Sequence, residues 1–117
     1  MKKKKQTEEL KVALDNFTDT ERQIMSEIKH LRLCVLVHSI IYYRLNTNII
    51  SDFQYDTFAK RLKKLQDDNP KLSQAVPEYL KDFTAWDGCS GYNLPLGDDW
   101  GVRKAYYLVN LTKQFQL

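Results

Sequence analysis

The chain has 117 residues, 43% hydrophobic and 28% charged, a balance that suits one folded unit with one core and argues against a second domain. The formal net charge is +3, but Lys2 to Lys5 supply four of the positive charges, so the remaining 14 basic residues face 15 acidic ones and the body is near neutral. Like charges at a terminus repel and do not pack, so residues 1–5 read as a basic, solvated, disordered tail.

Cys34 and Cys89 lie far apart, with no CxxC pair and no histidine at ligand spacing, which argues against a zinc site or any bound metal and fits a reducing, cytoplasmic setting. Gln6, Glu8 and Glu9 follow the lysines where a signal peptide would need apolar residues. The most apolar run, 33–43, contains His38 and falls well short of the roughly 20 residues a membrane span requires. A soluble protein with no membrane partner is expected.

Leu10, Ala13, Leu14 and Phe17 recur at helical spacing and predict a short amphipathic helix over about 6–16. Thr18 followed by Glu21 has the form of a capping box and opens a long helix over about 19–45, marked by Ile24, Ile28, Leu31 and Val35. From Leu31 onward nearly every side chain is apolar, so the second half of that helix should be covered on most sides. Asn46-Thr47-Asn48 reads as a turn. Ser51 with Gln54 is a second capping-box signature, starting a helix at Asp52 whose Phe53, Phe58, Leu62 and Leu65 are expected to face inward, until Asp68-Asn69-Pro70 stops it. Pro77 suits the first turn of a short helix over about 77–84. Residues 86–101 hold all four glycines and both tryptophans without helical period and predict an ordered irregular loop. Asp98 or Asp99 can cap a last helix with Val102, Ala105, Leu108, Val109, Leu111 and Phe115 inward. The expected fold is all-α: a single helical domain over 6–117, built on a helical hairpin, with a C-terminal aromatic loop and a final helix.

Within the hairpin, Asp52, Tyr55 and Asp56 stand at i, i+3 and i+4 and share one helix face, while Tyr42 and Tyr43 end the preceding helix across a short connection. Two carboxylates and up to three phenol rings can thus converge. Such a corner suits a flat cation carrying hydroxyls, because ring faces favour positive charge and carboxylates accept from ribose diols or amides; oxidised nicotinamide riboside fits. The same residues also have a plain structural reading: Asp52 at a helix start suits the macrodipole, Asp56 can pair with Lys60, and tyrosines are common at core edges.

Residues 31–72, and Tyr42-Tyr43 with "ISDFQYD" above all, resemble the small N-terminal helical domain, termed Ia, of bacterial NAD-dependent DNA ligases, with Asn69-Pro70 at the position of a later His-Pro or Asn-Pro. The resemblance implies binding of the nicotinamide mononucleotide (NMN) half of NAD, with Tyr42 and Tyr55 stacking, Asp52 and Asp56 accepting from ribose or amide, and Tyr43 at a position that varies between Tyr and His. The proline usual before the "ISD" segment is Asn48 here. The lysine motif of the ligase catalytic domain has no counterpart, since the only Asp-Gly, Asp87-Gly88, follows Ala85-Trp86, and a lysyl-adenylate of that kind cannot form there. Residues 73–117 form an extension whose order "FTAWDGCSGYNLPLGDDWGVRKA" is similar to the tails of short ligase-related proteins of bacteriophages and mobile elements.

These readings lead to a non-enzymatic module binding NMN or NAD weakly, on the order of micromolar to millimolar, because each cation-aromatic contact contributes only about 0.5–2 kcal/mol. The alternative is a protein-interaction module for a host replication, repair or defence protein, using Trp86, Tyr92, Leu94, Leu96 and Trp100 as exposed anchors. Lys60, Arg61, Lys63 and Lys64 form a basic face that could touch phosphates, making the chain a weak nucleic-acid binder, though such faces are usually simply solvated. Cys34 and His38, at i and i+4, could form a nucleophile pair, but their apolar surroundings favour an inert thiol and a satisfied core histidine.

Overall fold

Both expected capping boxes form, and they set where the two longest helices begin. In the computed structural model, which describes residues 16–115, α1 runs Asp19–Tyr43 and α2 Asp52–Asp68. Thr18 Oγ1 accepts from the Glu21 amide at 3.1 Å while the Thr18 amide donates to Glu21 Oε1 at 2.9 Å. Ser51 and Gln54 repeat the exchange at 3.1 and 2.9 Å. Each box satisfies two amides that a helix start would otherwise leave unpaired. The lysine tail and most of the short helix expected over 6–16 lie outside the described residues.

α1 ends at Tyr43 rather than 45 because Asn46 takes a left-handed conformation, φ 55°, which Asn tolerates better than most residues and which turns the chain toward α2. α2 stops at Asp68, as expected from Asn69-Pro70, but Pro70 also opens a further helix, α3 (Pro70–Ala75), in which its missing N–H costs nothing at the first position. The helix expected over 77–84 shrinks to α4 (Leu80–Thr84), since Tyr79 is left-handed, φ 54°, and interrupts the helical path. An irregular segment leads to α5 (Asp99–Gln114), capped by Asp98, whose Oδ2 accepts from the Gly101 amide at 2.9 Å and from Tyr79 Oη at 2.6 Å. Among the described residues there is no strand.

α1 is the central element, packed against α2, α3 and α5. Its Val35, Leu36, Ile40 and Ile41 are enclosed together with Ala59 and Leu62 of α2, Phe83 of α4, Trp86 and Leu94 of the irregular segment, and Ala105 of α5. Gly101 lets α5 approach this closely: a β-carbon there would stand 2.6 Å from Ile40 Cδ1. Two expected inward residues face solvent instead. Phe53 is 80% exposed because it lies nine residues before the buried Leu62, two and a half helical turns away and so on the opposite face. Phe115 is exposed because it is the cap residue beyond Gln114, past the reach of the core.

The second half of α1 also buries a charge. Arg32 is fully enclosed, and its guanidinium donates to the carbonyls of Ser73, Val76 and Glu78, to Ser73 Oγ, and to Gln66 Oε1, at 2.7 to 2.9 Å. Burial draws its pKa down from arginine's usual value, with the nearby Glu78 opposing. The bonds compensate for lost hydration and pin the α3–α4 connection to α1.

Candidate functional site

The end of α1, the 44–51 connection and the first turn of α2 enclose an open cavity of about 340 Å³. Tyr42, Tyr43, Asp52, Tyr55 and Asp56, the five candidate ligand residues, all line it. The capping box at Ser51 fixes where α2 starts, so the three α2 residues share one face of its first five residues, the face that lines the cavity. Tyr42 and Tyr43 are 54% and 38% exposed and meet edge to face, ring centroids 4.9 Å apart. Ile41 and Ile49 add apolar wall.

Asp52 and Asp56 are exposed, and no ion pair joins Asp56 to Lys60 or engages Asp52 among the described residues. Their oxygens are therefore available to donors from outside the protein. Tyr55 is held differently. Its Oη lies 3.0 Å from Ser39 Oγ, which donates to the Val35 carbonyl at 2.7 Å. Burial pushes the Tyr55 phenol up, partly offset by the Ser39 bond, so it stays protonated.

The irregular segment after α4 forms a buttress behind these groups. Asp87 Oδ1 accepts from the amides of Cys89 and Ser90 at 2.8 and 3.1 Å, which hold its carboxyl below the usual carboxylate range. Trp86 Nε1 donates to the Ser90 carbonyl at 2.9 Å, and Ser90 Oγ lies 3.2 Å from Tyr43 Oη. Gly91 sits where a β-carbon would overlap Ser39 Oγ and lie 2.9 Å from Tyr55 Oη, so only glycine fits against that hydroxyl pair. Tyr92 then meets the edge of the Tyr43 ring at 5.5 Å.

The other candidates divide. Trp86 and Leu94, expected as exposed anchors, are buried: Trp86 packs edge to face on Phe83 at 5.3 Å and fastens the segment to the core. Leu96 is half-buried, whereas Tyr92, 67% exposed, and Trp100 reach the surface. Of the basic face, Arg61 pairs with Glu27 through Nε and Nη2 to the two carboxylate oxygens at 2.9 and 3.2 Å, Lys63 with Asp67 and Lys64 with Asp68, leaving Lys60 without an ion pair among the described residues. Burial raises the Cys34 thiol and lowers the His38 imidazole, the reverse of an activated pair, and no hydrogen bond joins them. Among the described residues no three or more His, Cys, Asp or Glu side chains are grouped so as to hold a metal ion.

His38 was expected to be a satisfied core residue, and the structure corrects this. It is half-buried, lines the cavity, and its Nδ1 is buried without a hydrogen-bond partner. The available signal was its position one turn before Tyr42 on the same face of α1; the surrounding apolar run obscured it.

Compared with known proteins, residues 21–76 match the family model described as DNA ligase-like, N-terminal NAD+-binding domain. No curated protein and no solved structure matches. The matched segment holds nearly all of α1, the 44–51 connection, α2 and α3, and with them every residue that lines the cavity. Residues 21–76, just under half of the chain, are thus similar to the DNA ligase-like, N-terminal NAD+-binding domain.

Proposed function

We propose that this chain binds the nicotinamide mononucleotide portion of NAD, or NMN itself, in the α1–α2 cavity and carries out no covalent step there. The observation that carries the reading is the convergence of two unpaired carboxylates and three tyrosines on one open cavity within the family-matched segment. Tyr42 offers an exposed ring face for the pyridinium cation, Asp52 and Asp56 accept from the ribose hydroxyls and the carboxamide NH₂, and Tyr43 with Tyr55 closes the side toward the buttress. The ring and carboxylate contacts all favour a cation, which distinguishes oxidised nicotinamide from its neutral reduced form. The cavity is lined by no lysine or cysteine, and its two serines are engaged within the protein, Ser39 with the Val35 carbonyl and Tyr55 and Ser51 with the Gln54 amide, which supports binding without chemistry. The similarity of the 83–105 segment to the tails of short ligase-related proteins of phages and mobile elements supports a role in such a genome.

The test is an amide NMR titration of the full chain with NMN and NAD, beside Asp52→Asn and an Asp52→Ala, Tyr55→Ala double variant. Saturable shifts centred on residues 38–56, weakened in the single variant and abolished in the double, are the expected result. Absence of shifts up to millimolar ligand would reject the reading. In that event the exposed Tyr92 and Trp100 favour a second reading, a surface for a protein partner.

A further inference from the structure

His38 is a polar group whose hydrogen bonding the fold leaves incomplete. A buried ring nitrogen without a partner is costly, and among the described residues Nδ1 of His38 is the buried side-chain nitrogen or oxygen in that state. A neutral imidazole must carry its proton on one nitrogen. An enclosed N–H with no acceptor is worse tolerated than an enclosed lone pair, so the favoured tautomer leaves Nδ1 bare and puts the proton on Nε2, the nitrogen that is not enclosed. His38 lines the cavity, and its N–H is then on the ring nitrogen that is not enclosed.

The remainder of the cavity is short of donors. Asp52 and Asp56 only accept, Tyr55 is engaged by Ser39, Tyr43 lies against Ser90, Ser51 Oγ caps α2, and the Tyr42 hydroxyl lies in the plane of its ring and so cannot turn to a ligand stacked on that ring's face. Asn48 can donate, but it stands at the rim, shared with a second depression bordered by Tyr42, Tyr43 and the 46–48 turn. A carboxamide has both an NH₂, which the carboxylates can accept, and a carbonyl oxygen, which needs a donor. We propose that His38 is a ligand-recognition residue, donating from Nε2 to the carboxamide oxygen of a nicotinamide ring whose cationic face lies on Tyr42. The assignment rests on a nicotinamide nucleotide being the occupant. Burial keeps the imidazole neutral at physiological pH, so the donor adds no positive charge to oppose the pyridinium. The charged or titratable groups sharing the cavity are Tyr42, Tyr43, Asp52, Tyr55 and Asp56.

The test compares NMN with the pyridinium ribotide that lacks the carboxamide, titrated into wild type, His38→Ala and His38→Gln. Loss of one neutral hydrogen bond predicts about tenfold weaker NMN binding in His38→Ala, most of it recovered in His38→Gln, whose amide can donate. The truncated ligand should bind wild type about tenfold more weakly than NMN and be indifferent to either substitution. Equal affinity of wild type for the two ligands overturns the proposal without reference to any variant. So does His38→Ala weakening both ligands alike or neither, and so does a long-range ¹H–¹⁵N spectrum placing the His38 proton on Nδ1. Failure of wild type to bind NMN removes the occupant itself, and that result is read before any substitution is made.

Discussion

The Tyr55 hydroxyl meets Ser39 Oγ at 3.0 Å directly beneath the backbone of Gly91, so a family-domain residue at the cavity and a residue of the later loop share one contact. A side chain at Gly91 has no room there. Gly91→Ala should destabilise the protein by about 1–3 kcal/mol, the range for overpacking a tight contact, and should also weaken ligand binding because Tyr55 and the Ser90 contact to Tyr43 shift with the loop. Urea unfolding followed by tryptophan fluorescence checks the first effect; an unchanged midpoint would show that the loop does not press on the hairpin.

Removing negative charge from the cavity should cost affinity without costing fold. Asp52→Asn and Asp56→Asn are each expected to weaken NMN binding about tenfold, the loss of one charge-assisted hydrogen bond, while leaving thermal stability nearly unchanged because both side chains are exposed and neither is in an ion pair with another described residue. A lowered melting temperature without loss of affinity would assign these carboxylates to helix capping alone.

Acid should destabilise the fold from near neutrality downward. Burial lowers the His38 pKa, so the unfolded chain takes up a proton at about 6.5 and the folded chain only at lower pH; between the two the unfolded state binds more protons, and stability falls as pH drops. Glu27, held below its usual value by the hydrogen bond from Arg61, adds a loss in the same direction at lower pH, as it protonates. Urea midpoints compared from pH 7.5 to 5.5 should fall for wild type and stay flatter for His38→Gln.

Arg32→Met should destabilise by about 3 kcal/mol, because it strips partners from three carbonyls at once while roughly conserving volume. Leu62→Ala is expected to cost about 2–5 kcal/mol through the cavity it leaves in the centre of the core. If Arg32→Met proved harmless while Leu62→Ala did not, the buried guanidinium would be dispensable to stability.

What was legible in the sequence is what local chemistry decides. Thr18 with Glu21 and Ser51 with Gln54 announce helix starts within four residues, and the i, i+3, i+4 placement of Asp52, Tyr55 and Asp56 follows from the second of these. Phe53 is misjudged from composition, although its phase relative to Leu62 already points it outward. Pro70 reads as a stop, and its second role as the first residue of α3 depends on packing against α1 and α2. The Arg32 clamp is hidden for a different reason: the backbone carbonyls it binds are 41, 44 and 46 residues away and carry no side-chain signature. Trp86 and Leu94 look like surface anchors in a glycine-rich segment, and only the tertiary arrangement shows them inserted beneath it.

The family match stops at Val76, yet Arg32 bonds both to the carbonyl of Val76 and to that of Glu78 beyond it. The edge of the recognisable sequence is therefore a weld rather than a seam. A fragment cut there would leave a buried cation short of an acceptor and lose the cover that Phe83, Trp86 and Leu94 give the hairpin. Conversely, the extension cannot be exchanged like a cartridge for another effector segment. Any replacement would have to bring a carbonyl for Arg32 and a glycine for Ser39, which makes the later residues part of how this domain is built rather than cargo it carries.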